Sequence, residues 1–138
     1  MKIQRTALLV MSLSLLMASQ SINASDCNNT KTQTELSQCT ALEFEREAAR
    51  FDETYNGYLS KLTEQQRIRF ANTQHAWREY RDLACDFESS AVLGGSAHQT
   101  VLAICLTGMS HARRLEIEAL LRCPEGALNC PASTRRQP

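Results

Sequence analysis

The sequence predicts an all-α domain, an antiparallel three-helix bundle cross-linked by disulfides. Three observations predict it. Proline is absent from residues 1–123 and occurs only at 124, 131 and 138, so nothing interrupts a helix before the tail. After residue 24, Val and Ile together number five, against 13 Ala and 12 Leu, which favours helix over strand. Three capping-box spacings, Thr32…Glu35, Thr63…Gln66 and Ser96…Gln99, each open a long segment.

Residues 1–24 read as a secretory signal peptide. Lys2 and Arg5 precede a 12-residue apolar run, Ala7 to Ala18, interrupted by Ser12 and Ser14, and Ile22-Asn23-Ala24 supplies a cleavage context. Twelve residues fall short of the roughly 20 that span a bilayer. Asp26 precedes Cys27 where a lipid-attachment site needs a small residue, so the expectation is a protein that is periplasmic or secreted, cleaved near Ala24. The 138 residues suffice for one domain, expected over 25–122 with a tail over 123–138. Fifteen basic and fifteen acidic side chains balance; without residues 1–24, 13 basic and 15 acidic remain. That balance argues against a nucleic-acid partner, which selects a basic excess, and no later segment is long enough for a membrane span.

The first helix is expected over 33–62, with Phe44, Ala48, Phe51, Tyr55, Tyr58 and Leu62 as its apolar stripe. A second, over 64–93, places Phe70, Trp77, Tyr80, Ala84, Phe87 and Ala91 on one side and stops at Gly94-Gly95, which permits the positive φ of a helix end. The third, over 97–122, would bury Val101, Leu102, Cys105, Met109, Ala112, Leu115 and Ala119. The tail lacks periodicity and is expected to fray from Ala132 onward.

Cys27, Cys39, Cys85, Cys105, Cys123 and Cys130 form an even set in an exported chain, which points to disulfides. Zinc spacing is missing, since no C-x-x-C and no paired histidines occur. Short links make neighbouring helices antiparallel, and folding about 62–63 and about Gly95 brings Cys39, Cys85 and Cys105 into one layer. The preferred pairing is Cys85–Cys105 with Cys27–Cys39; Cys39–Cys85 with Cys27–Cys105 stays open as the rival. Cys123 and Cys130 close a local loop bent by Pro124 and Gly126.

Catalytic signatures are missing. No H-E-x-x-H, G-x-S-x-G or phosphate-cradling glycine loop is present. His75, His98 and His111 lack metal-ligand spacing, and Glu43/Glu47 and Asp82/Asp86 read as carboxylates one turn apart on solvated faces. No enzyme activity, cofactor or metal is expected.

Within the second helix, Gln74-His75-Ala76-Trp77-Arg78-Glu79-Tyr80-Arg81-Asp82-Leu83-Ala84-Cys85 resembles the Q-x-A-W-x-x-Y-R-D-x-x-C signature of the LprI-like lysozyme inhibitor family. Thr32-Gln33-Thr34-Glu35-Leu36-Ser37-Gln38-Cys39 resembles its opening, and Gly94-Gly95-Ser96 with Cys105 and Arg113 resembles its close. The resemblance covers about residues 27–121. Ser37, Phe51-Asp52 and Ser110 depart from the pattern, and the 123–130 cysteine pair is an addition. The resemblance implies a small exported helical protein, expected as a monomer, that binds lysozyme or a related cell-wall hydrolase and inhibits it. The signature residues Gln74, Trp77, Tyr80, Arg81 and Asp82 are open to either a structural or a functional role. Two features suit such a partner, which is commonly cationic with two carboxyl groups in its cleft. Glu43, Glu45, Glu47, Asp52 and Glu53 form an acidic stretch for steering, and Gly94, Gly95, Ser96, Ala97 and His98 form a narrow tip able to enter a cleft. The alternative is an envelope structural or assembly factor, or an immunity-type protein against another cell-wall hydrolase.

Overall fold

The computed structural model describes residues 27–124 and 126–132. The signal peptide expected over 1–24 and the end of the tail, 133–138, lie outside the described residues. Three helices dominate: α1 Gln33–Leu59, α2 Glu64–Ser89 and α3 His98–Leu121. Short 3-10 turns occupy Cys27–Asn29 and Ser90–Val92, and no strand occurs among the described residues.

Paired side chains fix the helix directions. Between α1 and α2, Phe51 stacks on Trp77 with ring centroids 5.6 Å apart, while Tyr58, two turns later, meets Phe70 at 4.9 Å. Between α2 and α3, Arg81 reaches Ser110 and Ser89 reaches His98. Partner numbers fall as residue numbers rise, so α2 is antiparallel to both neighbours. Between α1 and α3 the separation is constant, since Gln33–Thr100 and Glu47–Arg114 are each 67 residues apart; these helices are parallel. The most extensive backbone contact is also between α1 and α3. Small residues on α3 (Thr100, Ala103, Thr107, Ser110) permit it, and three of them are buried.

The helix starts differ in chemistry. At Thr63 the capping box is complete: the Gln66 N–H donates to Thr63 Oγ1 at 3.4 Å and the Thr63 N–H donates to Gln66 Oε1 at 2.9 Å. At Thr32 the Glu35 N–H donates to the Thr32 hydroxyl, but the Glu35 carboxylate turns back one residue further, to the Lys31 N–H at 2.8 Å. The third expected box does not form. The α3 cap is Ala97 at φ −82°, ψ −13°, with no side-chain cap bond, and Ser96 is exposed. A capping hydroxyl needs an extended backbone at its own position. Here the turn begins early, with the His98 N–H donating to Gly95 O at 3.2 Å.

The α1 stripe packs as expected at its C-terminal half, where Phe51, Tyr58 and Leu62 are buried together with Ile117 of α3. Leu62 keeps its place although α1 ends at Leu59. The other two stripes are corrected. On α2 the inward line is Phe70, Gln74, Trp77, Arg81, Cys85 and Ser89, whereas Tyr80, Phe87 and Ala91 face outward. On α3, Ala112, Leu115 and Ala119 are exposed, and Thr100, Ala103, Ser110 and Ile117 are buried. The interior therefore divides. The end near the α1–α2 link is apolar, and the end near the α2–α3 link is lined by Thr40, Glu47, Gln74, Ser89, Thr100 and Ser110.

Disulfides join Cys27 to Cys39, Cys85 to Cys105 and Cys123 to Cys130, and the described cysteines leave no free thiol. The last closes a loop that returns the chain to the apolar end. There Gln66 Nε2 donates to Pro131 O at 2.7 Å, and Ala132, expected to fray, packs against the core.

Candidate functional site

Of the α2 residues that carry the resemblance, Gln74, Trp77 and Arg81 face the interior between the helices. Gln74 is buried, and its Oε1 accepts from Arg113 Nε at 3.4 Å. Trp77 lies against Phe51 on one side while the guanidinium groups of Arg81 and Arg113 approach its ring at 5.4 and 6.0 Å from the centroid. Arg81 also donates to Ser110 Oγ at 3.2 Å and to Asp82 Oδ1 at 2.7 and 2.8 Å. Two cations beside one indole ring are tolerated because each is neutralised locally, Arg81 by Asp82 and Arg113 by Glu116 at 2.6 Å. Gln74, Trp77 and Arg81 thus hold α2 against its neighbours, and exposed Asp82 neutralises Arg81 from within α2. Tyr80 does not join them; it is 63% exposed on the opposite face.

The acidic stretch expected on the first helix does not present itself as one surface. Glu47 is only 4% exposed and accepts from Arg114 Nε at 2.6 Å, with His111 at 3.6 Å and Arg50 at 3.8 Å. Its placement corrects the expectation of a steering residue: a carboxylate on the inward line between α1 and α3 is enclosed by bases. Glu47 in turn holds the Arg114 guanidinium more firmly protonated than usual, with Glu118 adding to the effect. Asp52 is paired to Arg78 at 3.2 Å. Glu43 is half-buried beside Arg46 and Arg50, around a shallow cleft of about 250 Å³.

At the tip, α2 tightens into the 3-10 turn and Gly94 adopts φ +79°, a conformation that side chains other than glycine rarely accept. A Cβ on Gly95 would meet Val92 O at 3.2 Å. Gly94, Gly95 and Ser96 are exposed. His98 is not part of that surface in the same way: its ring is half-buried, with Nε2 3.2 Å from the Oγ of fully buried Ser89. This contact anchors α3 to α2 behind the tip. Cys85–Cys105 adds a covalent anchor one helical stretch further back.

The tightest His/Cys/Asp/Glu cluster among the described residues is Cys27, Cys39 and Glu43. Both sulfurs are bonded to each other, so the cluster offers one carboxylate rather than a thiolate site.

Sequence reasoning missed a further surface. Leu83 and Phe87, 72% and 79% exposed, continue from Tyr80 along the back of α2. The signal was available in Cys85. Once that sulfur is tied to α3, positions 81 and 89 share its face, and 80, 83 and 87 must point away.

Among known proteins, no curated protein and no solved structure matches the chain. A family model described as lysozyme inhibitor LprI matches residues 24–117, more than half of the sequence and the whole of α1, α2 and the α2–α3 link. The chain belongs to the LprI lysozyme inhibitor family.

Proposed function

We propose that this protein is exported, after cleavage near Ala24, and binds a lysozyme-type peptidoglycan hydrolase, blocking it without catalysing a reaction. Family membership across residues 24–117 is the observation that carries the reading. Three disulfides suit an oxidising compartment outside the cytoplasm. No described helix is long and apolar enough to cross a membrane.

The tip Gly94–Gly95–Ser96 is the proposed leading edge of the contact. It is narrow, and Ser96 is exposed rather than committed to capping α3. The exposed Ser96 hydroxyl suits the carboxyl-lined cleft of a glycoside hydrolase. The Ser89–His98 contact and the Cys85–Cys105 bond stiffen the base of this hairpin, which limits the ordering cost on association. Lysis of a cell suspension by a c-type, g-type or i-type lysozyme, followed by turbidity, tests the reading. Slower clearance with the purified protein is expected against at least one class. Unchanged clearance by all three would refute it.

A further inference from the structure

Tyr80, Leu83 and Phe87 occupy one outward stripe of α2, 63%, 72% and 79% exposed. Residues spaced by three and four lie on one helical face, and beyond the helix Leu93, 71% exposed, stands next to the tip. Around the stripe stand Glu79 and Asp86 on one side and Glu88 on the other, all exposed. The one basic residue between 79 and 93 is Arg81, which turns inward to Ser110 and the Trp77 ring with its side chain only 16% exposed. The outer face of this segment is therefore apolar at its centre and negative at its rim. Its underside is fixed, because Cys85 and Ser89 are fully buried and Cys85 is bonded to α3.

We infer that this face is the main docking surface for a basic protein, and, resting on the functional reading above, for the cationic hydrolase itself. Charge decides among possible occupants. A second copy would bring a negative rim against a negative rim, and an anionic lipid surface would be repelled in the same way. A cationic protein gains from both parts: rim charges speed its approach, and large apolar side chains on a rigid helix supply anchors with little ordering cost. The face adjoins Gly94–Ser96, so the tip is the edge of a broader contact centred on Phe87.

The test is calorimetric titration of a cationic c-type lysozyme into the full chain and two variants, with turbidity clearance alongside. Leu83→Ser with Phe87→Ser should weaken binding by about 100-fold, the scale of losing two central anchors. Glu79→Lys with Asp86→Lys should slow association about 10-fold at low salt and flatten its salt dependence. Both pairs are exposed, so thermal melting should stay near that of the unmodified chain; if the serine pair misfolds, the lysine pair still decides. Unchanged binding by well-folded variants, while the unmodified chain binds, overturns this surface and leaves the inhibitor reading standing. If the unmodified chain binds no lysozyme, both fall. Self-association of the unmodified chain that the serine pair abolishes would assign the face to a second copy instead and overturn the inference.

Discussion

Glu47 offers the sharpest test of how α1 and α3 are joined. Its carboxylate is 5% exposed, bonded at 2.6 Å to an Arg114 side chain that is 13% exposed. Removing one partner of a buried pair typically costs about 3–5 kcal/mol, because the other charge is left without compensation. Here Arg114 retains Glu118, whose side chain is 28% exposed, so the orphaned charge is partly satisfied. Glu47→Ala should therefore cost about 3 kcal/mol, at the lower end of that range. Glu47→Gln keeps the volume and an acceptor and loses only the charge assistance, so about 1–2 kcal/mol is expected. For a domain of this size each kcal/mol moves the melting temperature by about 4–8 °C. Urea denaturation of Glu47→Ala, Arg114→Met and the double variant completes the cycle, with a coupling above about 1 kcal/mol expected. A loss under about 0.5 kcal/mol for Glu47→Ala, as for an ordinary surface acid, would refute the buried-bridge account.

Tyr58→Phe should stabilise the protein by about 1 kcal/mol, since the buried Tyr58 hydroxyl has no hydrogen-bond partner. Burial raises the Tyr58 pKa above its usual 10.0, so the folded state is unaffected below pH 10 and loses stability as pH rises from there towards the folded value, where only the unfolded tyrosine ionises readily; melting curves above pH 10 should show this loss in the unmodified chain and less of it in the variant. Thr63→Ala should cost about 1 kcal/mol by breaking a complete capping box, while Ser96→Ala should change stability by under about 0.5 kcal/mol because Ser96 caps nothing; equal losses in chemical denaturation would contradict the cap geometry. Replacing Cys123 and Cys130 by Ser should cost about 2–3 kcal/mol, from the 7-residue separation of the bond, and should leave lysozyme binding intact because the loop covers the end away from the tip; a binding loss without unfolding would place the contact elsewhere.

Much of the fold was legible because helix signals are local. Proline absence, the Thr63 box and the 3-4 spacing of Phe51, Tyr55, Tyr58 and Leu62 act within a turn or two, and the observed helices follow them. The preferred disulfide arrangement, Cys27–Cys39 with Cys85–Cys105, also emerges in the structure. What local pattern misjudged was the face of α2. Counting apolar residues favoured Tyr80, Ala84 and Phe87, yet the interior takes Gln74, Arg81 and Ser89, because the groups they bond (Arg113, Ser110 and His98) sit on α3 and are invisible to periodicity. Glu47 misled for the same reason: a carboxylate reads as solvated until a base 67 residues away is found to enclose it. Ser96 failed as a cap because the backbone, not the side chain, decides where α3 begins.

The two ends of the bundle answer different demands. Near the α1–α2 link, Phe51, Tyr58, Leu62 and Ile117 supply an ordinary apolar core, further covered by the cystine-closed tail. Near the α2–α3 link, the buried residues are small or polar (Thr40, Ser89, Thr100, Ala103 and the Cys85 sulfur) while Leu83, Phe87 and Leu93 lie outside. An interior of small and polar side chains contributes less hydrophobic stabilisation than one of large apolar ones, so that end depends more on cross-links and hydrogen bonds, namely Cys27–Cys39, Cys85–Cys105 and the Arg81–Ser110 and Ser89–His98 pairs. Specific bonds of this kind hold a shape without needing the large side chains. The large side chains are thereby available at the surface, on a helix too constrained to rearrange around a partner. Arg81 shows the arrangement in one residue: by turning inward to hold Trp77 and Ser110, it removes the only positive charge from the outer face of its segment and leaves that face negative. Stability at this end and the character of the proposed docking surface thus come from the same side-chain choices.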